Sequence, residues 1–349
     1  MNTSSLLPYG WADFDQQIVD SMSAGPEGAI DIDMSSGMRC PLLGHDSWLS
    51  WAEGQAGEGR KARHGTVWAG DPPLRFHSSP TYVLQRPIDN FIAGRALIGE
   101  ALDGHWGKAE TGRLGHENSE DALTWNVFRS LQEAGELPAV IRELTGIDAA
   151  GEPALYLWGR QVELCGTSAW PALADARQAI EPCGGQQLAP DCCLHLPGQA
   201  WIFVEAKFGS PTATKKLEDA RNAWAERYDK SCPGVFRKDV IQTTPPDQFP
   251  EQLLRNVALA LQVRQAAEQV IVVALVREVD VSCVDVVAHR CLNDGLEVKV
   301  RVSTWEQVYS ALREWSALDL LRRYLERKSY RLQPAFSIPQ QNSRVVPQP

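Results

Sequence analysis

Two charged side chains end an otherwise apolar stretch of the chain. The segment WIFVEAKFGSP, from Trp201 to Pro211, is typical of a buried strand up to Val204, yet Glu205 and Lys207 follow it. Side chains at positions i and i+2 of a strand share a face, so the carboxylate and the ammonium are neighbours. Packing alone does not require such a pair, and its residue types are those of a hydrolytic site.

A third charged residue can join this pair. Asp191 follows Pro190 at the start of the preceding predicted strand, and pairing of the two strands would bring Asp191 close to Glu205. Two carboxylates within about 4–6 Å raise each other's pKa unless a cation lies between them. Their oxygens suit Mg²⁺ or Mn²⁺. Lys207 beside such an ion could orient or deprotonate the attacking water, or stabilise developing negative charge. Together the residues fit metal-assisted hydrolysis of a phosphodiester.

The helix predicted upstream carries an acid on its inward side. NSEDALTWNVFRSLQEAG has Asn118 or Ser119 as N-cap, acids in its first turn and Gly135 just past its end. Apolar residues recur every four positions from Leu123 and form the buried stripe. Glu120 lies three residues before Leu123, so it projects from the same side. A role in capping and in favouring the helix dipole is the simpler alternative for this acid.

The remaining elements predict a mixed sheet with helices. Pro197-Gly198 joins two strands as a hairpin, and Ser303 with Glu306 forms a capping box at the start of the last helix. The order is helix, three strands, helix, strand and helix, which predicts an α/β or α+β fold around a central mixed sheet flanked by helices. The predicted strands are 154–164, 190–198, 200–209, 270–280 and 296–303, and the later helices are 249–269 and 303–329.

The site residues carry a family resemblance. The PD that contains Asp191 and the EAK that contains Glu205 and Lys207, placed after an apolar strand, resemble the motif of the PD-(D/E)xK nuclease superfamily. The resemblance implies a restriction-endonuclease-like fold, with Asp191 and Glu205 binding the catalytic metal and Lys207 serving the water. It also implies a further metal ligand on the preceding helix, for which Glu120 matches best and Glu117 second.

The resemblance extends to the helix that follows the lysine strand. In the superfamily this helix often brings polar side chains to the site, which implies a substrate-binding role for Gln252, Arg255 and Asn256. These residues form a stripe at spacing i, i+3 and i+4, and an ordinary polar helix face is the alternative. The resemblance covers about 115–280, roughly half of the chain.

Three regions are predicted along the chain. Residues 1–110, rich in Gly, Pro and Trp, form an extra N-terminal region of unclear fold. Residues 111–331 form the nuclease-like domain. Residues 332–349 form an extended or disordered tail.

Composition limits the partners and the compartment. The net charge of −10 argues against general nucleic-acid binding, but residues 207–240 hold 8 Lys or Arg against 5 Asp or Glu, so a basic face remains open. No signal peptide or membrane span is expected, which predicts a cytoplasmic protein without a membrane partner. The cysteines form no CxxC pair, and the cluster of Cys183, Cys192, Cys193 and His195 fits no zinc signature. Reduced thiols are expected.

The patterns and the resemblance together predict a metal-dependent phosphodiesterase that cuts nucleic acid with Mg²⁺ or Mn²⁺, DNA being expected before RNA. The resemblance implies a role in prokaryotic defence or repair. The sequence leaves open whether the chain acts with a partner protein or as a homo-oligomer. Two alternatives stand against the enzyme. Glu205 and Lys207 could form an exposed ion pair worth only about 0–1 kcal/mol, or the fold could be a catalytically silent module that binds nucleic acid or a protein within a larger complex.

Overall fold

A computed structural model gives the fold of the chain. It describes residues 38–39, 48–49, 65–66, 80–81, 87–102, 114, 118–180, 189–209, 228–312, 316–330 and 333–338. The chain divides into two compact units, and the larger unit comprises Phe91–Leu114 and Ser119–Ala311. The other unit comprises Met1–Asn90, Gly115–Asn118 and Leu312–Pro349. The predicted domain boundaries at 110 and 331 stay predictions.

The described strands and helices have the following bounds. The strands are β1 (Met38–Arg39), β2 (Trp48–Leu49), β3 (Gly65–Thr66), β4 (Pro80–Thr81), β5 (Ala154–Leu157), β6 (Arg160–Val162), β7 (Thr167–Ala169), β8 (Cys192–Leu196), β9 (Ala200–Ala206), β10 (Gln269–Val276), β11 (Val298–Thr304), β12 (Ser329–Tyr330) and β13 (Gln333–Pro334). The α-helices are α1 (Ile98–Ala101), α2 (Glu120–Ala134), α3 (Leu137–Thr145), α4 (Pro171–Ile180), α5 (Lys238–Thr243), α6 (Glu251–Val263), α7 (Val284–Arg290), α8 (Trp305–Leu312) and α9 (Asp319–Arg327).

A seven-stranded mixed sheet, counted over the described residues, forms the centre of the larger unit. Its strand order is β11-β10-β9-β8-β5-β6-β7. β9, β10 and β11 are parallel, whereas β8, β5, β6 and β7 each run antiparallel to the preceding neighbour. The carboxyl ends of β9, β10 and β11 therefore lie at one edge, and the start of β8 lies at that edge too. The predicted mixed sheet flanked by helices is confirmed.

The two central parallel strands form the core of the sheet. All seven residues of β9 are buried, and so is β10 after its first residue. Strands buried on both faces are nearly continuous apolar runs, which explains why these two were recognisable in the sequence. Helix α6 packs against β9 and β10, α3 packs against β10, and α2 packs against β5. The sheet is thus covered where the charged residues at the end of β9 emerge.

Helix α2 begins and ends where its sequence predicts. The Ser119 side chain accepts a hydrogen bond from the Ala122 amide at 3.2 Å, as an N-cap does. Gly135 follows the last turn with a φ of 73°, a left-handed conformation that glycine adopts without strain. The apolar stripe that starts at Leu123 is fully buried. This capping fixes the position of Glu120 as the first residue of the helix.

One predicted strand was wrong, and one helix was missed. The segment 154–164 is a hairpin of β5 and β6 rather than one strand, because Trp158 and Gly159 both adopt positive φ and turn the chain. Trp158 can hold this strained conformation because its ring is buried and stacks on Trp125 at a centroid distance of 5.0 Å. Helix α4 was not predicted. The hairpin that joins β8 to β9 was predicted and is confirmed.

The capping box of α8 lies one residue later than predicted. The sheet pairing of β11 continues through Thr304, which lies opposite Val276, so α8 begins at Trp305 and its N-cap is Thr304 rather than Ser303. Thr304 and Gln307 form the box instead, because the Gln307 amide donates to the Thr304 hydroxyl at 3.1 Å and the Thr304 amide donates to the Gln307 side chain at 2.8 Å. Helix α8 then ends at Leu312, and α9 is a separate helix.

The smaller unit contains short pieces of structure. The strands β1 and β2 pair antiparallel, as do β12 and β13, while β3 and β4 pair in parallel. In α9, Arg322 forms ion pairs with Asp319 and Glu326 along one face. Within the described part of the chain, every helix is too short or too polar to span a bilayer.

Candidate active site

The ion pair at the end of β9 is buried. Glu205 exposes 2 % of its surface and Lys207 exposes 6 %, and Lys207 Nζ lies 2.6 Å from Glu205 Oε1. An exposed pair at a solvated strand end is therefore excluded. Burying two charges costs free energy unless both are paired and hydrogen-bonded, so such a pair needs either a structural or a functional reason.

The register of the sheet places Asp191 beside Glu205. Cys192, the first residue of β8, pairs with Val204, so Asp191 stands one position earlier, next to Glu205. The Asp191 carboxylate accepts a hydrogen bond from the Ala206 amide, with Oδ2 at 2.9 Å. Asp191 thus fixes the backbone between Glu205 and Lys207 and also lies near both side chains.

Glu120 reaches the same strand end from α2. Its Oε1 accepts a hydrogen bond from the Phe208 amide at 2.8 Å, and its Oε2 lies 3.9 Å from Lys207 Nζ. Asp191 and Glu120 therefore hold the backbone amides on either side of Lys207. The structure brings the four predicted residues together at the end of β9: Asp191, Glu205, Lys207 and Glu120. Their catalytic roles stay predictions.

Backbone contacts complete the support of Lys207. Its amide donates to the Leu275 carbonyl on β10 at 2.8 Å. Its carbonyl accepts from the Trp305 indole N–H at 3.0 Å, in a bond that is itself buried. Trp305 is the first residue of α8, directly after β11. Lys207 is consequently held at both backbone groups and at its ammonium.

Helix α6 supplies the other neighbours of Glu205. Asn256 is fully buried, and its Nδ2 donates to Glu205 Oε2 at 3.0 Å. Arg255 is 7 % exposed and acts on Glu205 through its charge. Gln252, one turn earlier, is half-buried. The predicted stripe therefore lies on α6, and its member Asn256 bonds the buried carboxylate.

The charges of the site keep the ion pair ionised. Burial raises the pKa of the Glu205 carboxyl, but Lys207, Arg255 and the hydrogen bond from Asn256 outweigh burial and hold that pKa below its usual value. Burial lowers the pKa of the Lys207 ammonium, but Glu205, Asp191 and Glu120 together raise it far above its usual value. Lys207 is therefore protonated throughout the neutral pH range.

The donor set determines which cations could bind. Carboxylate oxygens are hard ligands that suit Mg²⁺ and Mn²⁺. Among the described residues, no three His, Cys, Asp or Glu side chains come together as a ready-made metal-binding group. Mg²⁺ needs only one or two carboxylates and keeps several waters, so Asp191 and Glu205 at neighbouring positions fit such an ion.

The thiols beside the site are inert. Cys192 and Cys193 are buried on opposite faces of β8, as predicted. Burial raises the pKa of both thiols well above its usual value, and the charge of Asp191 adds to the effect. Cys183 and Glu117 lie outside the described residues. Neither buried thiol is available as a nucleophile at neutral pH.

Trp305 was missed by the reasoning from sequence. Its indole N–H contacts Lys207 across 98 positions of sequence. One pattern could have indicated it, because β9 and β11 are parallel and residues that follow their carboxyl ends lie at one edge of the sheet. The hydrogen bond from Asn256 to Glu205 was also unforeseen, since the stripe on α6 was assigned to substrate alone.

Comparison with known proteins supports the fold. Residues 100–328 match the family described as restriction endonuclease associating with ARP, about two thirds of the chain. No curated protein matches the chain, and no solved structure does. The match confirms the resemblance to restriction-endonuclease-like proteins and suggests a nuclease-type module. The chain belongs to the family of restriction endonucleases associating with ARP.

Proposed function

We propose that the chain is a metal-dependent nuclease that hydrolyses phosphodiester bonds in nucleic acid, with DNA as the first substrate to test. One observation carries the proposal. A lysine ammonium is buried among three carboxylates at the end of β9, in a chain of an endonuclease family. Buried ion pairs add little to stability compared with apolar packing, and strongly perturbed pKa values cluster at functional sites, so this arrangement favours a functional role.

Asp191 and Glu205 would hold a Mg²⁺ or Mn²⁺ ion, whereas Glu120, whose Oε2 lies 3.9 Å from Lys207 Nζ, stays a predicted further ligand that would have to move toward them to bind it. When bound, the cation supplies Lewis acidity that neutralises charge on the phosphate. Asn256 orients the Glu205 carboxylate through its Nδ2, and the Ala206 amide orients that of Asp191. These supports hold the ligands in place before a cation arrives.

Lys207 has a different role from the acids. In the metal-free site the neighbouring acids raise the pKa of Lys207 far above its usual value, so we propose that the ammonium serves as a proton donor. It would orient the attacking water and stabilise the negative charge that develops on the phosphate oxygens. The Trp305 indole, which donates to the Lys207 carbonyl at 3.0 Å, would help to hold the strand end in place.

The family description names an ARP with which these endonucleases associate. We extend that association to this chain as a proposal. An ARP present beside the chain should change its cutting rate or its choice of substrate. Cleavage by the chain alone and by the chain with its ARP, at equal concentrations, would measure the effect.

The nuclease is tested by cleavage of plasmid, single-stranded DNA and RNA with Mg²⁺, with Mn²⁺ and with EDTA. Asp191→Asn and Lys207→Met should each abolish metal-dependent cutting. Asp239→Asn is the matched control, because its carboxylate pairs with Arg237 at 3.5 Å and is 75 % exposed. Equal cutting by all variants would refute the site. Loss of cutting by Asp239→Asn would mean that the losses in the site variants cannot be assigned to the site.

A further inference from the structure

Exposed apolar side chains are concentrated in the segment that follows β10. Among the described residues, five large apolar side chains are exposed, and three of them lie within residues 278–286: Val279 at 68 %, Val281 at 52 % and Val286 at 55 %. Single exposed apolar residues are ordinary, whereas a group of them is a feature of contact surfaces for other molecules. We call residues 278–286 the valine segment.

The valine segment is folded rather than loose. Its first turn, Glu278–Asp280, is closed by a hydrogen bond from the Asp280 amide to the Arg277 carbonyl at 2.9 Å. The Val281 amide then donates to the Glu278 carbonyl at 3.3 Å. Val284, which is 6 % exposed, anchors the start of α7. A surface that is already ordered loses little conformational entropy when a partner covers it.

The charges of the valine segment are acidic. It contains Glu278, Asp280 and Asp285 and no Lys or Arg. Asp280 is offset by Arg277, whose Nε lies 2.6 Å from the carboxylate, so the net charge comes from Glu278 and Asp285. Negative charge repels the phosphates of nucleic acid and attracts a protein surface that carries Lys or Arg. A basic protein therefore fits this surface, and a polynucleotide does not.

The valine segment is joined to the candidate active site by two short chains of contacts. At its base, Arg277 Cζ lies 5.7 Å from the centre of the Phe208 ring, and Phe208 directly follows Lys207. The Glu278 amide donates to Glu306 Oε2 at 2.9 Å. The residue of α8 that precedes Glu306 is the indole donor to the Lys207 carbonyl. A molecule that binds the segment would therefore act on the backbone on both sides of the Lys207 carbonyl.

We propose that the valine segment is the surface on which an ARP docks, and that docking there regulates the active site through Phe208 and α8. The occupant is a protein whose contact surface has an apolar depression rimmed by Lys or Arg. The proposal rests on the nuclease function and the ARP association proposed above, and it adds where the partner binds. Exposed apolar surface, negative charge and contact with the site coincide in this one segment.

The first test measures binding without cutting. The full chain, carrying a fluorescent label, is titrated with an ARP in EDTA, and the anisotropy gives the Kd. The double variant Val279→Ser/Val281→Ser removes apolar surface, while Glu278→Lys reverses a charge and keeps the amide that bonds Glu306. Leu164→Ser is the matched control, because that side chain is 62 % exposed in the loop between β6 and β7.

We expect the double variant to weaken ARP binding by about tenfold or more, since apolar anchors carry most of the affinity of an interface. Glu278→Lys should weaken it less and make it less sensitive to salt, and Leu164→Ser should match the native chain. Equal affinity of the double variant and the native chain would overturn the proposal. A native chain that binds no ARP would overturn it too.

Two further measurements test the other occupants. Sedimentation of the chain alone reports self-association, and its loss in the double variant would identify a second copy of the chain as the occupant. Anisotropy of labelled DNA reports nucleic-acid binding, and weaker DNA binding by the double variant at unchanged ARP affinity would identify nucleic acid. Either result would overturn the proposal.

Cleavage in Mg²⁺ with and without an ARP tests the regulation. The double variant should cut at the native rate when alone and should lose the change that the ARP causes. An ARP that binds the native chain without changing its cleavage would refute the link to the active site. A chain that cuts nothing under any condition would refute the nuclease and this link, while the Kd values still decide the docking surface, so the failures are distinguishable.

Discussion

Replacing Lys207 with methionine removes the ammonium and keeps most of the apolar stem. Glu205 would then be a carboxylate exposed by only 2 %, having lost the donor that lay 2.6 Å from its Oε1. Breaking a buried ion pair from one side costs about 3–5 kcal/mol, because the charge that remains is uncompensated. Asp191 and Glu120 lose the same cation, so we expect Lys207→Met to lie at the upper end of that range.

Removing the charge of Glu205 instead should cost less stability. Glu205→Gln leaves Lys207 with two other carboxylates, so its loss should lie at the lower end, about 3 kcal/mol. The double variant removes one charge of each sign and leaves the net charge of the site unchanged. We expect it to cost no more than about 2 kcal/mol, since replacing both members of a buried pair is often nearly neutral.

Urea unfolding in EDTA, followed by circular dichroism, gives the free energy of unfolding if the slope is unchanged among variants. Lys238 and Asp229 provide the matched control, with a 2.7 Å contact between side chains that are 47 % and 34 % exposed. Their coupling should be about 0–1 kcal/mol. At the control pair the free-energy losses of the two single variants should nearly add. If the losses of Glu205→Gln and Lys207→Met also add in the double variant, the two side chains do not stabilise each other and the reasoning fails.

Three further changes test other contacts. Trp305→Phe keeps an aromatic ring but leaves the Lys207 carbonyl without its donor. It should lower the free energy of unfolding in urea by about 1–3 kcal/mol and lower the cleavage rate. An unchanged cleavage rate would mean that Trp305 does not belong to the site. Burial raises the pKa of Glu268, but hydrogen bonds from two backbone amides and from His195 outweigh it and hold that pKa below its usual value of about 4.3. The contribution of Glu268 to stability is therefore complete above the unfolded-state pKa and is lost as pH falls through the lower folded-state pKa. Glu268→Gln should make the free energy of unfolding fall less steeply toward acid pH. An unaltered pH dependence would contradict this. Thr304→Val removes the hydroxyl that caps α8 and should lower the free energy of unfolding by about 1 kcal/mol, whereas no loss in urea unfolding would mean that the cap is dispensable.

Local patterns predicted the parts of the fold that depend on neighbours in sequence. Helix α2 was predicted with both ends because Ser119 is a local start residue and Gly135 a local stop residue. β9 was predicted because a strand buried on both faces is a continuous apolar run. The hairpin between β8 and β9 then brings Asp191 to Glu205, so the motif could be read before the structure was known.

Parts that depend on distant segments could not be predicted. Lys207 is buried where Glu120 of α2, Leu275 of β10 and Trp305 of α8 contact it, and nothing in the EAK triplet distinguishes a buried lysine from an exposed one. Trp158 was assigned to a strand interior because aromatic residues favour strands; its positive φ depends on the ring of Trp125, which comes from α2. Ser303 and Glu306 formed a correct capping pattern at the wrong position, because strand pairing with β10 decided where α8 begins.

The position of β9 inside the sheet has a consequence for motion. β9 has a hydrogen-bonded neighbour on each side, β8 and β10, and all seven of its residues are buried. Amide hydrogens of such a strand exchange with solvent only when most of the domain opens, because local fluctuations do not separate a strand paired on both edges. The charged residues at its end are therefore carried by one of the last segments to open. Under the proposed function, any adjustment that admits a substrate would be made by the elements around β9, while the strand itself stays in place.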